Sequence, residues 1–466
     1  MFIGSQLLLV VTMNSQFAII YFVLRLCLIN SSGDFLKSHQ GFEEVGEPLI
    51  LTPFIENGSI SEARQKAEVT YPELTKNNLT SYSGYFTVDK TFNSNLFFWF
   101  FLSENNPSEN PLIVWLQGGP GASSLFGLFT ENGPYIVSEN LELTYRNYSW
   151  TKDHSVLYID NPAGVGFSFT DGGFAQNQTK VGNDLYSALI QFFKLFPELQ
   201  KNEFYVTGES YGGKYVPAIS YTIHENNVDA DLKINLKGFS LGNPISDPIN
   251  QADYGSYMYY NGLMDSNLKN YLKSLHETFV AAALREDYRQ ATIIRETIRE
   301  KMHESNALPN IYNHQETKEE DPEYFATYLS QNILRTQIHV GDVEYAVNKD
   351  KVYNNLYVDI SRSVAPWIEE LLNNYRALFY NGQLDTADPY PLMVNFLRKL
   401  SFNGIDEYLA AERHIWYVDG EVAGYWKSGG NLTEVLVRAA GHMVPTSQPK
   451  WAYDLIYKFI RNVTLG

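Results

Sequence analysis

The chain is almost without cysteine. Its 466 residues hold one, Cys27. No disulfide framework can form within the body, and thiolate metal sites are excluded with it. No metal and no cofactor are expected. Positive charge is also scarce: 35 Lys and Arg stand against 53 Asp and Glu, a formal net charge of −18 at pH 7. With no basic face to neutralise phosphates, nucleic acid is not an expected partner. Beyond Ile29 no apolar run approaches the length of a membrane span. Internal repeats and long low-complexity tracts are missing too. What is there is 44% apolar residues with 15% aromatics, enough for a sizeable core. The length suits two domains, or one large α/β domain with insertions.

The N-terminus is apolar over 7–12 and 17–29, with Asn14, Ser15 and Gln16 between. No Lys or Arg precedes Arg25. This reads as a secretory signal over 1–32, with Met13 as an alternative start; an uncleaved anchor is the competing reading. Removal of the signal leaves no stable membrane partner. Asn-x-Ser/Thr sequons begin at Asn30, Asn57, Asn78, Asn147, Asn177, Asn431 and Asn462. The lack of disulfides alone would suggest a reducing compartment. The sequons and leader argue instead for a glycosylated protein of the secretory pathway, extracellular or lysosomal.

Residues 33–80 are polar, with Pro48, Pro53 and Pro72, and read as an N-terminal extension. Strand-like segments follow at 83–88, 96–101, 112–116, 155–159, 204–207, 236–241, 376–380, 414–418 and 434–438. Helical patterns at 182–196 and 211–226 separate several of them. Such alternation predicts a mostly parallel central sheet with helices on both faces, and 93–101 reads as an antiparallel edge ahead of it. From 250 to 364 the character changes. Residues 265–304 are charged with apolar positions at helical spacing, such as Leu272, Leu275, Phe279 and Leu284. The expected organisation is an α/β core over 81–249 and 365–466, interrupted by a mainly helical cap at 250–364.

The most specific signal is Gly208-Glu209-Ser210-Tyr211-Gly212. It fits Gly-x-Ser-x-Gly, the nucleophile elbow of α/β-hydrolases, and lies between a strand-like and a helix-like run as that motif needs. A serine hydroxyl needs a base, and the chain order in this fold is Ser, then Asp/Glu, then His. His442, in Ala440-Gly441-His442-Met443-Val444-Pro445, follows a β-like run and precedes a C-terminal helix at 448–460. His154, His224, His276, His303, His314 and His339 read as surface or packing residues. Asp385, just past 376–380, is the orienting acid, with Asp388 as runner-up. The glycine-rich loop Gln117-Gly118-Gly119-Pro120-Gly121 should supply an oxyanion hole from the N–H groups of Gly119 and Tyr211. A phosphate-loop reading fails, because no Gly-Lys-Ser/Thr follows.

Together Trp115–Gly121, Gly208–Pro217, Tyr380–Asp385 and Gly441–Pro445 resemble the four signature blocks of the serine carboxypeptidase family, and Asp160–Ser168 resembles a fifth. Gln117 and the 95–101 run bring it nearest to the vitellogenic carboxypeptidase-like branch. The resemblance spans roughly residues 80–461. It implies an α/β-hydrolase fold, Ser210 as nucleophile, His442 as base and Asp385 as acid. It also implies a site for the substrate's C-terminal carboxylate on Gln117, Gly118, Glu131 and Glu209, hence peptide or protein C-termini as substrates and acidic working pH. Dimers among such proteins leave a homodimer open. Two departures stand out. The family usually has Asn where Gln117 stands, and Ala122 occupies the place of a cysteine whose disulfide ties the glycine-rich loop, so packing alone is expected to hold that loop. Met443, Phe126 and the cap are expected to line side-chain pockets of apolar preference. An esterase or acyltransferase on the same triad, or a catalytically silent binding protein, are the competing readings.

Overall fold

The computed structural model describes residues 45–76, 79–306, 310–317, 323–346 and 348–466. The expected leader with Cys27 and Asn30, and the sequon at Asn78, lie outside the described residues. In chain order the strands are β1 (Ser81–Asp89), β2 (Ser94–Phe101), β3 (Leu112–Leu116), β4 (Tyr135–Val137), β5 (Leu143–Tyr145), β6 (Ser155–Ile159), β7 (Phe204–Glu209), β8 (Leu236–Gly242), β9 (Arg376–Gly382), β10 (His414–Val418), β11 (Glu421–Gly429) and β12 (Leu432–Val437). The longer helices are α1 (Gln178–Leu195), α2 (Gly212–Asn226), α3 (Ser266–Leu284), α4 (Tyr288–Asn306) and α5 (Pro449–Ile460).

Among the described residues, ten strands form one sheet in the order β1-β2-β6-β3-β7-β8-β9-β12-β11-β10. From β6 to β12 in that order the strands run parallel. Antiparallel pairs flank them at both edges. β2 shows why the sheet is buried on both sides. Its side chains alternate, so Leu96, Phe98 and Phe100 enter one core with α1 and α2. Phe97, Trp99 and Phe101 enter the other with α5. Full burial of each ring contributes about 1.5–3 kcal/mol, so this eight-residue strand anchors both layers. The architecture is the α/β-hydrolase fold expected from the sequence.

Three details differ from the sequence reading. The 45–76 part of the expected extension packs on the core, a detail its polar composition did not indicate. It contributes short helices Thr52–Glu56 and Ile60–Ala67, and Leu51, Ala63 and Ala67 lie in the core beside α1. The 265–304 pattern splits into α3 and α4, because the chain reverses at Glu286 (φ +60°). The reversal packs Leu272 and Phe279 against Ile294 and Ile298 in a core of their own. β11 was not anticipated, since its exposed alternation and two glycines weaken the strand pattern.

The insertion is bolted to the core beside the elbow. Lys214 on α2, fully buried, donates to the carbonyls of Asp359, Ile360 (2.9 Å) and Arg362 (2.7 Å). Burial lowers its pKa to about 8. Among the described residues no helix is long and apolar enough to cross a membrane.

Candidate active site

The residues singled out in the sequence gather at the carboxyl ends of adjacent parallel strands, where such folds place ligands. β7 ends in Glu209 and turns at Ser210, whose φ is +60°. A non-glycine residue in this left-handed region is strained. Here it is held by bonds from Ser210 N to Gly242 O (3.0 Å) and from Ile245 N to Ser210 O (3.0 Å). The sharp turn requires close passage of neighbouring backbone. A Cβ on Gly208 would stand 2.6 Å from Leu116 O. Helix α2 then starts at once, with its positive end beneath the serine.

His442 Nδ1 lies 2.8 Å from Asp385 Oδ2 and 4.0 Å from Asp388 Oδ2. Asp385 is therefore the direct partner, and the runner-up stands off. Asp385 is fully buried but well supplied with donors: Asn243 Nδ2 at 2.6 Å, Ala387 N at 2.7 Å and Asp388 N at 3.2 Å. Burial works against a charged His442, yet Asp385 and then Asp388 outweigh it and raise its pKa above the usual value. With Nδ1 turned to Asp385, Nε2 is the nitrogen left for a serine proton. His442 and Ser210 line the same cavity, about 660 Å³ in volume.

The glycine-rich loop passes close over the elbow. A Cβ on Gly118 would lie 2.7 Å from Ser210 Cβ, so only glycine fits. Among the described residues the N–H groups of Gly119 and Tyr211 have no backbone acceptor. Packing alone does not hold this loop, contrary to expectation. Asp160 accepts from Ser123 Oγ (2.5 Å), Ser124 N (3.0 Å) and Phe167 N (2.9 Å). Ser124 Oγ accepts from Gln117 N and donates to Ile159 O. A hydrogen-bonded carboxylate stands in for the missing disulfide. Burial lifts Asp160 to about 6, against the bonds from Ser123 and the backbone.

Beside the serine, Gln117, Glu131 and Glu209 are buried. Trp115 Nε1 donates to Gln117 Oε1 (2.8 Å), which turns Gln117 Nε2 toward Glu209 Oε1 (3.1 Å). Neither Glu131 oxygen nor Glu209 Oε2 has a hydrogen-bond partner among the described residues. Two carboxylates cannot donate to each other; one shared proton resolves this. Burial raises Glu131, and raises Glu209 well above the usual range, where the neighbouring Glu131 charge adds to it. Gln117, Gly118 and Glu209 line the cavity, while Glu131 stands behind them. Glu131 ends a one-turn π-helical segment, Gly127–Glu131. Arg146 holds that turn by donating to Phe129 O (2.7 Å) and Gly133 O (3.0 Å).

Sequence reasoning missed Asn243, Arg146 and the segment 310–317. The last of these crosses the catalytic loop: Tyr312 O accepts from His442 N (2.7 Å), and its ring lies 5.3 Å from the imidazole. No local signal marks it, because the contact is long-range. Phe126 and Met443 line the cavity as expected, but Arg295 and Arg299 of α4 do so as well. Of the sequons, Asn57, Asn147 and Asn462 are exposed. Asn177 caps α1 through its side-chain oxygen. Asn431 is half-buried, with its amide nitrogen donating to Leu372 O (2.9 Å), which disfavours a glycan there. Among the described residues no His, Cys, Asp and Glu cluster could hold a metal ion.

The serine carboxypeptidase family model matches residues 72–462. The venom serine carboxypeptidase of Apis mellifera is 47% identical, over 90% of this chain and 92% of its own length. The vitellogenic carboxypeptidase of Aedes aegypti is 46% identical over 89% and 90%, and the human probable serine carboxypeptidase CPVL 43% over 89% and 90%. Among solved structures, the prohormone-processing carboxypeptidase Kex1(delta)p from Saccharomyces cerevisiae superposes with a TM-score of 0.77, covering 86% of this chain and 97% of that one at 23% identity. An elbow serine, a buried Asp–His pair, the family model over residues 72–462 and a relative 47% identical across 90% of the chain place it in the serine carboxypeptidase family, as a hydrolase acting on peptides.

Proposed function

We propose that the chain removes single residues from free peptide C-termini in acid, through an acyl-enzyme on Ser210. His442 Nε2 takes the Ser210 proton while Oγ forms a bond to the carbonyl carbon. The N–H groups of Gly119 and Tyr211 stabilise the resulting oxyanion. The C–N bond then breaks, and His442 gives its proton to the leaving amine. Water, deprotonated by His442, attacks the ester; the new C-terminus leaves and Ser210 regains a proton. Asp385 holds the imidazole and stabilises its charged form.

One observation carries the exopeptidase reading: the buried Glu209–Glu131 pair, adjacent to the nucleophile and without a donor between the two carboxyls. Protonated, Glu209 donates to the substrate's terminal carboxylate alongside Gln117 Nε2 and Gly118 N–H. The sign follows. The raised carboxyls are neutral and competent in acid, and binding fails as pH rises through their folded pKa values. His442 sets the opposite limb: with its pKa raised, only the minority neutral imidazole serves as base in acid, and the gain in carboxylate binding must outweigh that loss. The apolar N-terminus and the exposed sequons support passage through the secretory pathway to an extracellular or lysosomal destination.

The test is one peptide as free acid and as C-terminal amide, with products followed by mass spectrometry at pH ~5 and pH ~8. The free acid should lose residues stepwise at pH ~5, the amide should react weakly, and Ser210→Ala should do neither. Glu209→Gln, a permanently neutral donor, should move the alkaline limb upward. Equal activity on the free acid at both pH values, or equal use of acid and amide, counts against the carboxylate site.

A further inference from the structure

Arg295 is the anomaly of the cavity. It sits on α4, is 8% exposed, and faces the space shared with Ser210. A guanidinium stays charged at any working pH, and burying it unpaired is costly. Yet among the described residues Arg295 makes no hydrogen bond and no ion pair, and its Nη2 is fully enclosed without a partner. Arg299 follows one turn on and faces the same space, with Nη1 reaching only Ala387 O (3.4 Å).

Most of the nearby acids are already engaged; Glu300, which also lines the cavity, is exposed to solvent. Both oxygens of Glu296 accept from the hydroxyls of Tyr353 and Tyr357. Glu316 accepts from the amides of Asn310 and Asn313. Asp385 serves His442, and burial keeps Asp388 above the usual carboxylate range, toward its neutral form. The cavity therefore presents two guanidiniums: Arg299 feels the charges of Asp388 and Asp385, while Arg295 keeps an enclosed Nη2 with no hydrogen-bond partner among the described residues. Arg295 influences Asp388, Tyr211 and Lys214. The Glu131–Glu209 pair responds instead to His442, Arg146 and Asp385. The sheet order gives the placement: Gln117 and Gly118 follow β3, Ser210 follows β7, and Ala387, which Arg299 reaches, follows β9, so these arginines of α4 lie across Ser210 from Gln117, on the side left for the acyl portion of a peptide.

We propose that Arg295, with Arg299 beside it, forms an anion subsite selecting peptides whose penultimate residue is aspartate or glutamate. The inference rests on the carboxypeptidase reading above, in which the terminal carboxylate occupies the Gln117–Glu209 side. A side-chain carboxylate entering from the acyl side would give Arg295 the charge-assisted bonds it lacks.

The test compares kcat/KM at pH ~5.5, where a glutamate side chain is mostly ionised. Two peptides differ only in Glu or Gln at the penultimate position. The wild-type chain should favour Glu by roughly 10- to 100-fold, as expected for a buried charged pair. Arg295→Met should bring the ratio to about 1, and Arg295→Lys should fall between. A wild-type ratio near 1, or a ratio unchanged in Arg295→Met, overturns the proposal. So does an equal loss on both peptides, which would assign Arg295 to the terminal carboxylate. Failure of the wild-type chain on both peptides would instead defeat the carboxypeptidase reading itself. Should Arg295→Met not fold, calorimetry on Ser210→Ala decides: equal affinity for the two peptides overturns the subsite.

Discussion

Asp385 and Asp388 stand three residues apart, and what separates their roles is supply of donors. Asp385 collects the Asn243 amide, two backbone N–H groups and the His442 ring. Asp388 holds only the 4.0 Å approach to His442. Chain order pointed to either residue; the bond partners come from β8 and the local turn, so sequence spacing alone left both open. Asn243 follows β8 with φ +44°, and its Oδ1 accepts from Gly382 N (3.3 Å). It thereby ties the β8 and β9 ends together under the acid. Asn243→Gly tolerates that backbone and removes the amide. Loss of a bond to a charged group is worth about 1.5–3 kcal/mol, so kcat should fall roughly 10- to 100-fold with KM little changed. With the Asn243 amide no longer competing for Oδ2, Asp385 binds the charged imidazole more strongly, so the acidic limb of kcat should move to higher pH. A fall in kcat with an unmoved limb would mean Asn243 is structural only.

Elements with strong local patterns were legible: β2, β3, β7 and the elbow helix each carry their own period and turn residues. β11 shows the opposite case. Its hairpin partner β10 is joined to it by Asp419-Gly420, with φ +49° and +81°, a two-residue turn signal that was present in the sequence but unused. The support of the glycine-rich loop was also readable only in part. Ala122 showed what was missing, but the replacement comes from the end of β6, where Asp160 reaches Ser123 and Ser124 across the sheet edge. Asp160→Ala should strand buried donors at about 1–3 kcal/mol each and loosen Gly119 over Ser210. The expected result is a lower melting temperature together with a loss of kcat. Asp160→Asn, which retains an acceptor, should recover part of both. Full activity in Asp160→Ala would return the loop to packing alone.

Over the whole molecule, protons couple folding to the working pH. Five buried carboxyls, Glu131, Glu209, Asp160, Asp184 and Asp388, have folded pKa values above their unfolded ones, burial being the first cause in each. Such groups contribute stability that is full below about pH 4 and is lost as pH rises through the folded value. His154 and His339 oppose them. Burial pushes both down to about 4, so their contribution is present above about pH 6.5 and lost as pH falls. Between about pH 4.5 and 6 the folded chain therefore keeps carboxyl protons that the unfolded chain has released, one of them shared by Glu131 and Glu209, against two imidazole protons it lacks. The carboxyls prevail. Above about pH 6.5 the two histidines no longer differ between states, while Glu209 and His442, both raised, continue to favour the protonated fold. The net charge of −18 at pH 7 adds self-repulsion in the same direction. The melting temperature should accordingly be higher near pH 5 than at pH 7.5 in calorimetry at fixed ionic strength, and Glu131→Gln with Glu209→Gln should flatten the decline. A melting temperature that rises toward pH 7.5 would mean that the pair is not held protonated, and the proton that stabilises the fold would then not be available to bind a substrate carboxylate.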